Sequence, residues 1–116
     1  MALADVRFEP LGEVVVAHLE GEIDMSNADE LGSALGDQVP EDVRALVLDL
    51  REVGYLDSAG IRLIYELRTR LDGRGQQLRL VVASAAPIAD ALRISDVTRA
   101  IGAVETVDAA LDSLDD

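Results

Sequence analysis

A chain of 116 residues, 49% apolar and without cysteine, has the size and composition of one globular domain and excludes disulfides, thiolate metal sites and cysteine nucleophiles. Its 23 acidic residues against ten basic ones leave a net charge of -13, which repels nucleic acid and anionic membrane and favours basic partners. All ten basic residues are arginine, so lysine-based mechanisms are excluded too. In chain order, a short strand is expected near Val6 to Phe8 and a longer, β-branched one from Val14 to Leu19. Ser26 then caps a helix to about Leu35, with Asp29 as its capping-box partner and Ala28, Leu31, Ala34 and Leu35 as the apolar stripe. Pro40 closes this connection, and the apolar run Ala45 to Leu50 reads as a buried strand.

A second helix is expected from Ser58 to Asp72, with Ile64, Leu67 and Leu71 as its core ridge, stopped by Asp72-Gly73-Arg74-Gly75. A strand follows from Leu78 to Ala83, and Pro87 opens a third helix through about Ile94 in the first-turn position that proline favours. Val104 to Val107 reads as a last short strand and Ala109 to Leu114 as a closing helix. Strands alternating with helices at these intervals indicate an α/β sandwich around a largely parallel sheet. Residues 1–116 form one unit with no linker, repeat or low-complexity segment. Residues 1–7 hold neither a basic region nor a continuous apolar run, so no signal peptide is expected. No stretch approaches the ~20 apolar residues that span a bilayer, and a cytoplasmic protein with no membrane insertion is the expectation.

Most candidate chemistry fails on its own terms. His18, the one histidine, lies inside a strand with no further ligand at metal-site spacing, and reads as a surface-facing or hydrogen-bonded strand residue. No G-x-S-x-G occurs, and Gly73-x-Gly75 follows a helix and precedes a strand, the reverse of the dinucleotide-binding order. Neither cofactor nor metal is expected, nor an enzyme. Asp49 could be imagined as the acceptor of a two-component receiver domain, but such domains need a lysine and an acidic pair that this chain lacks. Asp49 is read instead as a strand-end residue that caps a loop.

Residues 57–60 are different. Asp57-Ser58-Ala59-Gly60 places a hydroxyl at the mouth of a helix, where N–H groups and the positive end of the dipole point outward. An anion built on Ser58 is expected to land in a site prepared to receive it. Asp and Ser are also ordinary caps, so this motif alone leaves both readings open. The ordered set L-E-G-E-I-D, V-L-D-L-R-E-V-G-Y-L-D-S-A-G-I and R-G-Q-Q-L-R-L-V covers nearly the whole chain and resembles the STAS domain. Within that family it is similar to the stand-alone bacterial anti-sigma factor antagonists.

The resemblance implies a STAS-type sandwich with a mixed, largely parallel sheet of four or five strands and about four helices. It implies that Ser58, the first serine of D-S-[ST]-G, is phosphorylated by an anti-sigma factor that is itself a serine kinase. Asp57 is its neighbour, and Asp24 matches the aspartate of the G-E-[IL]-D motif. Asp24, Asp57, Ser58, Ala59, Gly60 and Ile61 are the residues expected to bind the partner. Unphosphorylated, the chain docks on the anti-sigma factor and frees a sigma factor; a phosphoserine phosphatase is the further partner that would reset the switch. The alternative is a structural STAS module of a signalling scaffold or of a lipid-transport complex. Three positions depart from the family pattern: Ala59 replaces a second hydroxyl, Arg74 replaces a glycine of a Gly-Gly turn, and Ser95-Asp96-Val97 replaces a frequent Gly-Leu.

Overall fold

The computed structural model describes residues 4–114; residues 1–3, the start of the segment read as lacking a signal peptide, and 115–116 lie outside it. Strands β1 (Ala4–Leu11) and β2 (Val14–Ile23) form an antiparallel hairpin. Its two-residue connection puts Gly12 at φ +64°, a conformation glycine adopts without steric cost. Then follow α1 (Ala28–Gln38), β3 (Ala45–Leu56), α2 (Ser58–Asp72), β4 (Gln77–Val81) and α3 (Pro87–Ile94). A π-helical turn over Thr98–Gly102, β5 (Ala103–Val104) and α4 (Val107–Asp112) complete the described chain. The five strands lie in chain order, and every pair after the hairpin is parallel, as the sequence indicated.

That order explains the layering. When consecutive strands are neighbours, crossovers of one hand carry every connecting helix to the same face. Accordingly α1, α2 and α3 all pack on one face, where Leu35, Ile64, Leu71 and Leu92 meet Leu19, Leu46, Leu48 and Leu80 in one buried cluster. Each such fully buried leucine contributes about 1.5–3 kcal/mol. Among the described residues the opposite face is covered only by α4, whose Ala110, with Leu114 just beyond it, packs on Val14, Val16, Ala45, Val47 and Val81. Beyond α4 that face is open and polar.

Several boundaries differ from expectation. β1 and β2 run longer because they pair with each other from Ala4↔Gly21 to Leu11↔Val14. β3 does not stop at Leu50 but continues to Leu56. Between His18 and Glu20 of β2 it spans Asp49 to Glu52, and between Gly21 and Glu22 it spans Val53 to Tyr55, one extra residue each time. These irregularities act as bulges, so the inward residues run Leu46, Leu48, Leu50, Val53, Leu56, with the spacing changing from two to three. β4 pairs with β3 only as far as Asp49↔Val81, so the last residues of β3 pair with β2 alone and project as a ribbon. At the C-terminal side α4 begins at Val107, because the Thr106 side chain accepts from Ala109 N at 3.0 Å. The expected strand there is reduced to Ala103–Val104.

The departure at Arg74 has a structural use. Its guanidinium donates to Gly36 O at 3.2 Å and Val39 O at 2.8 Å, carbonyls at the end of α1 that the helix leaves unpaired. Buried Gln76 continues the seam, its Nε2 donating to Pro40 O and Val43 O, both at 2.8 Å.

Candidate functional site

The projecting ribbon brings two loops together. Ile23 pairs with Leu56, and Asp57 N donates to Ile23 O at 3.3 Å, so the segments starting at Asp24 and Asp57 leave the sheet side by side. Such ends of adjacent parallel strands are where open α/β sheets tend to place their sites.

α2 starts at Ser58 because Asp57 caps it. Asp57 Oδ1 accepts from Ala59 N at 2.8 Å and from Gly60 N at 3.2 Å, and Asp57 O accepts the first helical bond from Ile61 N at 3.1 Å. The apolar ridge behind it is Leu63, Ile64, Leu67 and Leu71, one residue more than periodicity indicated. Ser58 is exposed, and among the described residues nothing hydrogen-bonds its hydroxyl. Ala59 and Gly60 turn inward and are buried, while Ile61 is half-buried. A Cβ on Gly60 would overlap Leu56 Cδ1 and lie 2.9 Å from Leu56 Cγ and 3.2 Å from Ile23 Cγ2. Glycine is therefore required by the close approach of helix to strand, and it fixes where Ser58 emerges.

One expectation needs correction here. The helix mouth does not hold its N–H groups ready for an anion on Ser58, because Asp57 already takes those of Ala59 and Gly60. An aspartate at the cap is itself the anion that the helix end stabilises.

The neighbouring loop is organised by Asp24. Its Oδ1 accepts from Ser26 N at 2.8 Å and Ser26 Oγ at 2.5 Å, and these bonds hold the carboxyl below its ordinary pKa, with slight burial acting the other way. Asp24 O accepts from Asn27 N and Ala28 N. Ser26 is thus not the helix cap: Asn27 holds that position, and its side chain makes no capping bond. Asn27 Nδ2 instead donates to Glu22 O at 2.9 Å and its Oδ1 accepts from Asp24 N at 3.0 Å, fastening the end of β2. Asp29, the expected box partner, points outward to Arg62 at 3.8 Å. Exposed Met25 on the Asp24 loop and half-exposed Tyr55 near the end of β3 supply apolar surface beside the two loops.

A profile of the STAS domain matches residues 6–110. The chain belongs to the STAS domain family. It is 34% identical over 74 residues to BtrV of Bordetella bronchiseptica, described as an anti-sigma factor antagonist; the match spans 64% of this chain and 62% of that relative. An anti-sigma factor antagonist from Mycobacterium paratuberculosis superposes with a TM-score of 0.85 at 26% identity, covering 97% of this chain and 95% of the other. The anti-sigma factor antagonist SpoIIAA, solved in its unphosphorylated form, shares the fold at a TM-score of 0.76 and 17% identity, covering 93% and 94%.

In this STAS domain the open sheet face carries a charged network that the sequence did not reveal. His18 Nδ1 lies 2.7 Å from Asp49 Oδ2 and His18 Nε2 lies 2.8 Å from Glu9 Oε1, joining β1, β2 and β3. Arg51 adds Nε to Asp49 Oδ1 and Nη2 to Asp49 Oδ2, both at 2.9 Å. Asp49 is therefore not a strand-end cap; it is buried in mid-strand, 4% exposed. Burial alone would raise its pKa, but the bonds from Arg51 and His18 and the Arg51 charge outweigh it and lower the carboxyl to about 2. His18 is hydrogen-bonded, one of the two roles the sequence allowed. Among the described residues no three His, Asp or Glu side chains are grouped to hold a metal ion, and no helix is long and apolar enough to cross a membrane.

Proposed function

We propose that this STAS domain is an anti-sigma factor antagonist, a regulatory binding protein whose docking on an anti-sigma factor is switched by phosphate on Ser58. The observation that carries this reading is the placement of Ser58: the first residue of α2, exposed, its hydroxyl unengaged, on the rim where the Asp24 and Asp57 loops leave the sheet together. The names of the Bordetella and Mycobacterium relatives support the partner class.

The switch follows from charge. Phosphoserine adds about -1.5 to -2 at pH 7. A unit charge pair about 6 Å apart at an effective dielectric near 20 interacts by roughly 3 kcal/mol before salt screening. Asp24 and Asp57 already make this rim acidic, so phosphate repels an acidic partner surface and alters the fit around Ser58. A loss of about 4 kcal/mol corresponds to a thousandfold in affinity. The partner kinase supplies the ATP and the catalytic groups; this chain supplies the acceptor hydroxyl, and Gly60 and Asp57 fix its position. Asp24, Asp57, Ser58 and Ile61 present side chains toward the partner, and Ala59 and Gly60 set the helix start from beneath. Residues 1–116 act as one STAS unit, in the cytoplasm where sigma factors work, and a phosphoserine phosphatase returns it to the binding form.

The test is phosphotransfer from a cognate anti-sigma factor kinase with ATP, followed by mapping of the modified residue. Phosphate on Ser58 and loss of the complex are expected. Modification at Ser26, Ser84 or Ser95 with Ser58 untouched overturns the reading.

A further inference from the structure

We infer that Arg62 is the countercharge for phosphate on Ser58, an intramolecular clamp that leaves Asp29 to take up the new anion; the inference rests on the reading of Ser58 given above. The helix end cannot fill this role, because Asp57 already accepts from Ala59 N and Gly60 N. Asp57 also stands beside Ser58 as a like charge. Over Glu20 to Glu30 and Asp57 to Glu66, the segments that carry the two loops and the start of α2, Arg62 is the one basic residue against seven acidic ones.

Its position suits the task. Ser58 and Arg62 are four residues apart on α2, which places their Cβ atoms about 6 Å apart on one helix face. Both are exposed, the Arg62 side chain at 60%. The present partner of Arg62 is weakly held: Nη2 stands 3.8 Å from Asp29 Oδ1, beyond hydrogen-bond length, and Asp29 is 90% exposed. A phosphate dianion offers more charge and a bidentate match to the guanidinium, so it wins the exchange. Phosphorylation then does two things at once. It masks the one cation of these two segments, and it releases one ion pair between α2 and α1, leaving the closer Arg70–Asp37 pair at 2.6 Å in place.

The test installs phosphoserine at position 58 during synthesis of the full chain and follows the second ionisation of the phosphate by phosphorus NMR. Arg62 favours the dianion, so Arg62→Gln is expected to raise that pKa by about 0.2–0.4 unit, with Arg62→Lys keeping most of the wild-type value. In 1 M salt the difference between wild type and Arg62→Gln is expected to shrink. Unphosphorylated Arg62→Gln should melt with the wild type, which shows that the side chain acts on the phosphate and not on the fold. A phosphoserine that titrates identically in wild type and Arg62→Gln overturns the clamp. Because the phosphate is built in, that result leaves the kinase reading untouched, whereas an unmodified Ser58 in the phosphotransfer experiment defeats that reading and not the measured electrostatics.

Discussion

Asp49→Asn isolates the charged network on the open sheet face. In the folded chain the Asp49 carboxyl titrates at about 2 against an ordinary 3.8, so it stays ionised while the unfolded chain has already taken up a proton. The gap of about 1.8 pH units is worth about 2.4 kcal/mol. This stability is complete above about pH 5 and is lost as pH falls from there through 2. Asparagine keeps the shape but resembles the protonated acid, and its amide sets a donor against Arg51 Nη2 or His18 Nδ1, where the carboxylate accepted. The expected loss at pH 7 is therefore about 2–4 kcal/mol, or roughly 10 °C in melting temperature for a chain of this size. Urea unfolding of both proteins from pH 2 to pH 7 reads the loss and its acid limb together. The difference between the two should narrow steadily below pH 4. A variant within ~0.5 kcal/mol of wild type at pH 7, or a difference that does not change with pH, refutes the reasoning.

Gly60→Ala gains about 1 kcal/mol of helix propensity but drives a methyl into Leu56 and Ile23, so a net loss of about 1–2 kcal/mol in denaturant unfolding is expected. A stability equal to wild type would show that those two side chains repack freely. Ser58→Ala should hold the anti-sigma factor whether or not kinase and ATP are present, and Ser58→Asp should bind about tenfold or more weakly, an incomplete mimic with one charge. Calorimetry giving both variants wild-type affinity rules out the electrostatic switch. Asp24→Asn keeps an oxygen for Ser26 N and Ser26 Oγ, so its melting temperature should stay within about 2 °C of wild type while partner affinity or phosphorylation rate falls about tenfold. A lower melting point with both functional values intact would make Asp24 structural only.

What the sequence showed depended on periodicity. α2 from Ser58 to Asp72 and α3 from Pro87 to Ile94 were legible to the residue, since each has an apolar stripe and a terminal signal, Asp57-Ser58 in one and Pro87 in the other. The second half of β3 was not, because its bulges change the inward spacing from two to three across Arg51 to Leu56. Asp49 was misread for a related reason: a charge at the seeming end of a run looks like a cap, and only pairing across three strands shows His18, Glu9 and Arg51 converging near it. The local role of Ser26 was overridden by Asn27, whose side chain bonds backward to Asp24 N and Glu22 O, a preference that sequence spacing cannot rank. Ser58 stood out because cap, helix and motif coincide there. Arg62 was hidden in plain view, one arginine among the exposed residues of α2 until the cap bonds of Asp57 showed the N–H groups of Ala59 and Gly60 already taken.

The strand order also governs how the molecule can be made. Each strand after β1 docks on a neighbour that has already left the ribosome, so none must wait for a later segment or thread between two existing ones. Loop closure stays local, and growth of the sheet can follow synthesis from the N-terminus. The exception is the second face. Val14, Val16, Ala45 and Val47 emerge early, yet their cover arrives only with α4, more than sixty residues after Val47. Throughout that interval the nascent sheet carries a greasy stripe, the natural foothold for a chaperone or, at high expression, for another nascent copy.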